Sequence, residues 1–278
     1  DANLQAAALG QVARGYRFLY FEEKHLRNNT DLGFFTQAES AARSALSTSS
    51  NYNQALQFGA PGGSNSMSFL GGPNGGVNRF DGSVYLFLPD PVTGNWDPRL
   101  PHSVGNVAEA TEDMGSEFGL TAENLKFPKA ESELPVSRAA EAMLIIAEAR
   151  LLAGDLAEAV SYINQVRAAA RVRVAGSGYA AGSSRGWPPS ATTVSDLQDF
   201  ASTDSDAIYA QLKHERQAEF WLELRRWQDV RYYEIVPARW LAPNVAAGMH
   251  LRWPPAPEEI AQNPNLTVAM TQSVYVSN

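Results

Sequence analysis

The segment from His214 to Arg231, HERQAEFWLELRRWQDVR, constrains the fold of this chain most, because it mixes many charges with large apolar side chains at helical spacing. Glu215, Glu219 and Glu223 share one stripe of the predicted helix, where like charges repel one another unless guanidinium groups neutralise them. The segment therefore predicts a helix that carries a structural ion network, whose members are Glu215, Arg216, Glu219, Glu223, Arg225, Arg226 and Asp229.

The apolar residues of the same segment indicate that this helix is buried. Phe220, Leu224 and Trp227 recur at the spacing of one helix face, beside the ionic stripe. A solvated amphipathic helix whose charges pair locally is the alternative. Trp221 and Trp227 favour burial, since large rings suit packing and stacking better than solvent. We expect the helix to pack deep inside a helical domain.

A helical hairpin is the clearest local structure that the sequence predicts. Arg138–Arg167 carries two apolar stripes separated by Gly154 and Asp155, which suit the C-cap of one helix and the N-cap of the next. The spacing is typical of a tetratricopeptide unit, and Asn3–Arg27 with Phe34–Leu46 is interpreted as a degenerate second unit. The stripes are Ala140, Met143, Leu144, Ala147 and Leu151, then Leu156, Ala159, Val160, Ile163 and Val166.

Four motifs follow one another over residues 97–266. They are DPRL at Asp97–Leu100, the hairpin at Arg138–Arg167, the helix at Glu215–Arg231 and RWPPAPEEIAQNPNL at Arg252–Leu266. In this order they resemble the SusD/RagB family of outer-membrane nutrient-binding proteins. Four motifs in sequence are a far more specific signal than any one of them.

The resemblance implies a mostly α fold, a SusD-like helical scaffold with tetratricopeptide-like hairpins and long irregular loops. We expect a single SusD-like domain over residues 1–278, short for its family. Gly59–Gly76 and Ala175–Ala191 are predicted loops, and Val84–Leu88 is a predicted short strand. The predicted parts are N-terminal helices at 1–58, a loop-rich insertion at 59–136, a helical core at 137–236 and a wrapping tail at 237–278.

Composition excludes several classes of protein. With 44% hydrophobic and 19% charged residues, the 278-residue chain can bury a sizeable core. Its net charge of −8 argues against nucleic-acid binding, which needs a basic face. The absence of cysteine excludes disulfides, thiol nucleophiles and cysteine-ligated zinc. The longest apolar run, Ala139–Ala147, contains Glu141 and is too short to cross a bilayer.

Sequence strings that look like active sites lack the context that their chemistry requires. Gly182–Gly186 reads GSSRG, but a nucleophilic Ser184 needs a strand before it and a helix after it. Glu219 and Glu223 are one helical turn apart, roughly 6 Å, but a glycosidase pair must face an open cleft. We predict that the chain is not an enzyme and uses no cofactor.

Metal binding is not predicted either. Asp90, Asn95 and Asp97 offer oxygen atoms that suit calcium, but they lack the spacing and the bidentate glutamate of a dedicated site, so this segment is interpreted as a turn. The histidines show no zinc-binding spacing. They are His25, His102, His214 and His250.

Resemblance to the SusD/RagB family implies a binding function without chemistry. Its members capture oligosaccharides or other nutrients and hand them to a TonB-dependent transporter. We therefore expect the bacterial cell envelope as location, on the outer-membrane surface or in the periplasm, and such a transporter as partner. The family's lipid anchor needs an N-terminal cysteine, so we expect that the start of the protein is missing here or that it is held differently.

Sugar capture requires aromatic faces for stacking, flanked by planar hydrogen-bonding groups. Trp96, Tyr179 and Trp187 lie in predicted loops and are the candidate stacking residues. Arg185 and Asn95 are the candidate polar neighbours. The resemblance transfers no ligand residue, because binding positions of the family lie in variable loops outside the four motifs. Each ring is also compatible with a lid over the core.

A second function of a different class stays open. The alternative to nutrient binding is a structural accessory subunit, docked on a larger membrane protein complex of the envelope and without a ligand of its own. Transport, respiratory and photosynthetic complexes all fit this interpretation. Helical-repeat surfaces suit docking, and a long glycine-rich loop suits wrapping a partner. The two functions differ in whether Trp96 and Trp187 are exposed or buried against another protein.

Overall fold

The computed structural model describes residues 1–58, 89–95, 97–100, 102–106, 120–124, 126–127, 131–176 and 197–221, and positions 223, 225, 229 and 233. The chain divides into two compact units, Asp1–Arg226 and Trp227–Asn278. In the second unit, the Tyr233 N–H donates to the Asp229 carbonyl at 3.0 Å, and both residues are buried. The predicted loop Gly59–Gly76, the predicted strand Val84–Leu88 and the predicted tail lie outside the described residues.

Helices dominate the described residues, so the predicted mostly α fold is confirmed. They are α1 (Ala2–Arg27), α2 (Gly33–Thr48), α3 (Ala139–Leu152), α4 (Leu156–Gly176) and α5 (Ser205–Glu219). The strands in this part are β1 (Asn53–Leu56), β2 (His102–Asn106), β3 (Leu120–Asn124) and β4 (Leu134–Arg138). None of the described helices is both long and apolar enough to span a membrane.

The first hairpin is formed by α1 and α2, which pack against each other. Asp1 caps α1 by accepting a hydrogen bond from the Asn3 N–H at 2.8 Å. Asn28 ends the helix in the left-handed backbone region, with φ 51°. The shared core is rich in small side chains, which let the two helices approach closely: Ala6, Ala7, Ala13, Ala38, Ala42 and Ala45.

The second hairpin, α3 with α4, contains the predicted turn. Gly154 has φ 81°, and its N–H donates to the Leu151 carbonyl at 3.1 Å, while the Asp155 N–H donates to the Arg150 carbonyl at 2.8 Å. Together these bonds form a Schellman motif, which favours glycine at this position. Asp155 then caps α4 by accepting from the Glu158 N–H at 3.1 Å. Both predicted caps are confirmed.

Helix α3 packs on two sides because it is apolar on two faces. Ala142, Ile145 and Ile146 join the core that α3 shares with α1 and α2. Leu144 and Ala147 join a second core, shared with α4 and α5. A helix that is buried on both sides needs apolar residues nearly all round. All the residues of the two predicted hairpin stripes lie in or against the second core.

Two pairs of short strands accompany the helices. β1 pairs antiparallel with β4, from Asn53 opposite Arg138 to Leu56 opposite Leu134. Because β4 runs directly into α3, this pairing ties the end of the first hairpin to the start of the second. β2 pairs antiparallel with β3. None of these four strands is predicted from the sequence, since strands of four or five residues depend on tertiary pairing more than on local propensity.

Helix α5 begins directly after Asp204 and ends earlier than its charge pattern predicts. Asp204 caps it by accepting from the Asp206 N–H at 2.9 Å. The predicted continuous helix over His214–Arg231 is wrong, because α5 ends at Glu219 and the described positions 220, 221, 223 and 225 are not helical, whereas Asp229 is helical.

The reason for this early end is visible at the last helical carbonyl. The Glu219 carbonyl accepts hydrogen bonds from Arg138 Nη2 at 2.8 Å and from Lys126 Nζ at 3.2 Å. The Glu223 N–H donates instead to the Phe220 carbonyl, at 3.0 Å. Side chains from distant parts of the chain therefore replace the next backbone bond of the helix.

Candidate functional site

A continuous network of buried charges connects the loop at 89–100 with α1, β4, α3, α4 and α5. Each member forms a salt bridge to at least one other member. Among the described residues, the carboxylates of this charge network are Asp90, Asp97, Glu141, Glu215, Glu219 and Glu223. The cations are Arg14, Arg99, Lys126, Arg138, Arg167, Arg173 and Arg225.

Glu215 lies at the centre of one end of the charge network and is completely buried. Arg167 Nη1 donates to its Oε1 at 2.7 Å, and Arg99 Nη1 pairs with its Oε2. Gln211 Nε2 also donates to Oε1, at 2.6 Å. Burial raises the pKa of Glu215, but Arg99 and Arg167 outweigh this effect and hold the pKa below its usual range.

Asp97 forms a bidentate pair with a residue two positions along the chain. Arg99 Nε donates to Asp97 Oδ1 at 2.9 Å, and Arg99 Nη2 donates to Oδ2 at 2.6 Å. His214 Nε2 lies 2.8 Å from the same Oδ2. Burial raises the pKa of Asp97, but Arg99 and His214 lower it by a larger amount, so the pKa lies well below its usual range.

Asp90 starts the turn that leads to Asp97. Its N–H donates to the Asn95 carbonyl at 2.6 Å, and its carbonyl accepts from the Gly94 N–H at 2.7 Å. Arg167 Nη2 donates to Asp90 Oδ2 at 2.6 Å. The turn predicted at this segment is confirmed, and α4 holds it in place through Arg167.

Asp90, Asp97 and His214 have ligand atoms within 4.8 Å of one another, a spacing that is compatible with a metal ion. The carboxylates already face cations, because Arg167 binds Asp90 and Arg99 binds Asp97. A metal ion here would face two guanidinium groups at close range, which its positive charge disfavours. Guanidinium groups therefore fill the electrostatic role that a metal would fill at this cluster.

Glu219 and Glu223 lie at the other end of the charge network. Arg138 bridges them, with Nη1 at 2.8 Å from Glu219 Oε1 and Nη2 at 2.7 Å from Glu223 Oε1. Arg173 Nη2 adds a bond to Glu219 Oε2 at 2.8 Å. Burial raises the pKa of Glu219, but Arg173 and Arg138 hold it far below its usual range. Both carboxylates are therefore paired with cations, whereas the catalytic carboxylates of a glycosidase face the substrate in an open cleft.

Lys126 closes the same end. Its Nζ lies 2.8 Å from Glu223 Oε1 and donates to the carbonyls of Glu219 at 3.2 Å and Trp221 at 2.7 Å. Burial lowers the pKa of Lys126, and the nearby positive charge of Arg138 lowers it as well. The attraction of Glu223 raises the pKa but is the smaller effect, so the pKa is about 8.

Glu141 connects the charge network to α1. Arg225 Nε lies 3.2 Å from Glu141 Oε2, and Arg14 pairs with the same carboxylate. Arg14 Nη2 and Arg225 Nη2 also donate to the Val136 carbonyl, at 2.7 and 2.5 Å. Burial raises the pKa of Glu141, but Arg225 and Arg14 bring it down to about 2.

The structure brings together four of the residues proposed from sequence for the ion network, Glu215, Glu219, Glu223 and Arg225. Arg216 is also buried, and its guanidinium lies 5.3 Å from the Phe220 ring centroid. Asp229 is buried in the second unit. Arg226 lies outside the described residues.

Charge spacing did not identify the partners from other segments. Arg138 and Arg167 are the first and last residues of the hairpin motif, and Asp97 and Arg99 are the charged residues of DPRL. Charged residues of the motifs that carry the family resemblance thus form salt bridges to one another in the charge network. The sequence signal for these partners is that each motif contains charged residues of the sign opposite to those in another motif.

A small cavity of about 200 Å³ borders the charge network. We call it the cation pocket, because four cations and one carboxylate line it: Arg99, Lys126, Arg138, Arg173 and Glu223. Pro98, Phe127, Pro135 and Val174 add apolar walls.

A second, wider groove of about 390 Å³ lies between α1, the end of α3 and the start of α5. Its lining combines Tyr20, Phe21 and Tyr209 with Leu151 and Leu152. Tyr20 and Phe21 are buried, while Tyr209 is half-buried. Of these three aromatic residues, Tyr209 is therefore the one that is partly open to solvent.

Of the residues predicted to bind ligand, Asn95 is described and is exposed at the end of the Asp90 turn. Trp96, Tyr179, Arg185 and Trp187 lie outside the described residues.

The helical hairpins and the charge network define a protein built on a mostly helical scaffold whose elements are joined by buried ion pairs. A comparison with protein-family models matches the SusD family over residues 113–276, and the chain belongs to this family. No curated protein and no solved structure matches the chain.

Membership indicates the class of function at the level of the family. The SusD family consists of envelope-associated, outer-membrane proteins that bind nutrients such as glycans, and they act as binding proteins, not as enzymes. Its members generally pair with TonB-dependent transporters.

Proposed function

We propose that this protein captures an oligosaccharide or another nutrient without transforming it and presents it to a TonB-dependent transporter at the outer membrane. The observation that carries the proposal is the family match over residues 113–276, which includes the hairpin and helix motifs. The charge network supports it, since a scaffold locked by buried ion pairs can hold ligand-binding loops in fixed positions.

The Asp90 turn supports the choice of Trp96 as a ligand contact. Asn95 on one side of Trp96 is exposed, and Asp97 on the other side is buried and paired with Arg99. Binding residues often lie on loops that a scaffold holds in place, and we propose that Trp96 is such a residue. Tyr179, Arg185 and Trp187 follow α4 closely in sequence, and we propose that they complete the site with Asn95.

Binding measurements with the purified full chain test this site. Trp96→Ala and Trp187→Ala should each weaken binding of the best oligosaccharide from a panel by at least tenfold in calorimetry, because a lost stacking face is not replaced. Tyr209→Ala, in the second groove, is the matched aromatic control and should leave affinity unchanged. Loss of affinity in the Tyr209 variant alone would move the site to that groove.

The transporter partner is tested separately, by mild-detergent extraction from native membranes and mass spectrometry of the proteins that co-purify. A TonB-dependent barrel in stoichiometric amount supports the proposal. Stoichiometric recovery with an unrelated membrane complex contradicts it.

One observation favours the second candidate function, a structural accessory subunit docked on another envelope complex. Leu4, Val12 and Leu19 lie on α1 and are exposed by 58, 47 and 42%. The two charges of α1 between Asp1 and Glu22 are Arg14 and Arg17, and they pair with buried Glu141 and Glu148. A surface helix with an apolar stripe and inward-facing charges suits a protein interface.

The same extraction experiment tests the α1 stripe. Val12→Glu should release the protein from a docked complex, because a charge at the centre of an apolar interface is costly to bury. Ser44→Glu, which adds the same charge at an exposed position of α2, is the control and should leave recovery unchanged. Equal recovery of the Val12→Glu variant and the unaltered chain contradicts docking through α1.

A further inference from the structure

The cation pocket contains a guanidinium group that has spare donors. Arg173 donates from Nη2 to Glu219 Oε2 at 2.8 Å, its one hydrogen-bond partner among the described residues. Its side chain is 43% exposed, the largest exposure of any cation in the charge network. One of the five N–H groups of Arg173 is used in this way, so Nε, Nη1 and the second N–H of Nη2 have no acceptor among the described residues.

The other cations of the pocket supply charge but few free donors. Lys126 Nζ already bonds to Glu223, Glu219 and Trp221. Arg138 uses Nε, Nη1 and Nη2 on Glu219 and Glu223. A ligand in this pocket would thus feel several positive charges and would hydrogen-bond mainly to Arg173.

The balance of charge is positive at this place in an acidic chain. The charge network has seven cations and six carboxylates among the described residues, whereas the whole chain carries a net charge of −8. The single carboxylate of Glu223 forms salt bridges to three cations, Lys126, Arg138 and Arg225. An additional anion would therefore meet an excess of cations among the described members of the network, in a partly desolvated site.

We propose that the cation pocket binds a small carboxylate-bearing ligand through the free edge of Arg173. The second N–H of Nη2 forms a parallel pair of donors with either Nε or Nη1, and a carboxylate matches such a pair. The pocket volume of about 200 Å³ suits one sugar ring or a small organic acid, since drug-sized ligands occupy pockets of roughly 300 Å³ and more. Phe127 and the two prolines provide apolar walls for the remainder of the ligand. The inference does not depend on the transporter or on Trp96.

Two sources of the carboxylate are distinguished by the probes. Sodium glucuronate, glucose and sodium acetate are titrated into the full chain at low ionic strength, with calorimetry and the Arg173 Nε–Hε NMR resonance as readouts. Glucuronate binding without acetate binding supports the proposal with an acidic sugar as source. Acetate binding of similar strength supports it with a free organic acid as source. Saturable glucose binding at this resonance, with no preference for glucuronate, overturns it.

Variants on α4 identify the residue that binds. Arg173→Gln should weaken glucuronate or acetate binding at least tenfold, and Arg173→Lys should weaken it less, because the charge stays but the paired donors are lost. Arg171→Gln is the matched control: Arg171 lies on the same helix, pairs with Asp199 at 2.9 Å and does not line the pocket. Each variant is first checked for an unchanged unfolding midpoint, and Arg173→Lys provides the test if Arg173→Gln unfolds.

Three results overturn the proposal. They are no binding of either carboxylate to the unaltered chain at millimolar concentration, equal binding to the Arg173 variants, and an equal loss in Arg171→Gln, which would indicate diffuse electrostatic attraction. Loss of oligosaccharide binding in Trp96→Ala with carboxylate binding intact separates this pocket from the site under the proposed function.

Discussion

Arg138 binds Glu219 twice, although the two residues are 81 positions apart: Nη1 donates to the Glu219 carboxylate and Nη2 to the Glu219 carbonyl, both at 2.8 Å. The first bond neutralises a buried charge, and the second removes the carbonyl that would continue α5. One arginine at the junction of β4 and α3 therefore sets both the electrostatics and the length of a distant helix.

Replacing Arg138 tests this relationship. Arg138→Ala leaves Glu219 and Glu223 with fewer partners in a buried site, and the expected loss of unfolding free energy is about 3–5 kcal/mol. Urea unfolding measures it. Arg27→Ala is the control, because Arg27 is 73% exposed and pairs with Glu23 on the same helix, so its loss should cost less than about 1 kcal/mol. Similar costs for both variants would show that the network contributes no more than a surface pair.

Two glycines of α1 should respond in opposite directions to substitution by alanine. A Cβ at Gly10 would clash with Tyr52 Oη and lie 2.8 Å from Ser137 Oγ, so Gly10→Ala should destabilise by about 1–3 kcal/mol. A Cβ at Gly15 meets no atom within 4 Å, so Gly15→Ala should stabilise the helix by about 0.5–1 kcal/mol. Thermal unfolding of both variants measures these changes. If the unfolding midpoints of both variants shift in the same direction, the close packing at Gly10 is contradicted.

Acid should weaken the fold through its buried carboxylates. The folded pKa of Glu141 is about 2, below the value of 4.5 for an unperturbed glutamate, so the unfolded state binds more protons between these values. The stabilisation is complete above about pH 4.5 and is lost as the pH falls through 2. Asp97, Glu215 and Glu219 act in the same direction.

Urea unfolding at pH 7, 4 and 3 measures this dependence. The loss assigned to Glu141 alone is on the order of 1–3 kcal/mol. Glu141→Gln removes one of the titrating groups, so its free energy of unfolding should change less between pH 7 and pH 3. An unfolding free energy that stays constant from pH 7 to pH 3 would refute the buried pairing.

Lys126 should titrate near pH 8. Burial disfavours its charged form, and the folded pKa of about 8 lies below the usual 10.5. Between these two pH values the unfolded state binds more protons than the folded state. The contribution of Lys126 to stability therefore rises as the pH increases from 8 to 10.5. The ¹³Cε shift of Lys126 followed by NMR gives the midpoint. Glu223→Gln removes an attraction that raises the pKa, and its midpoint should fall below that of the unaltered chain. A midpoint above 10 contradicts the buried environment.

The helical hairpin was predictable because its determinants are local. Gly154 and Asp155 act within a few residues of their own positions, and the apolar stripes of α3 and α4 follow the period of a helix. The central position of α3 was not predictable. It arises because two faces of α3 pack in two different cores, and these cores are formed by segments far apart in the chain.

The site divides in the same way. The sequence pointed to Glu215, Glu219 and Glu223 as carboxylates that needed guanidinium partners, and the structure supplies these partners chiefly from other segments. The predicted continuous helix was wrong because charge periodicity takes no account of side chains that compete for a helical carbonyl. The cation pocket had no signal in the sequence, since β4, α4 and the loop at 126–127 meet only after folding.

The sequence by itself determined the family, the helical hairpins and the need to neutralise a stripe of acids, because motif order, caps and apolar periodicity are properties of local spacing. Tertiary structure alone decided which cation meets which carboxylate, where α5 ends and which guanidinium edge stays free. Those outcomes depend on the distance and burial of groups tens of residues apart, and Coulomb energy and desolvation take their values only when the chain has brought such groups together.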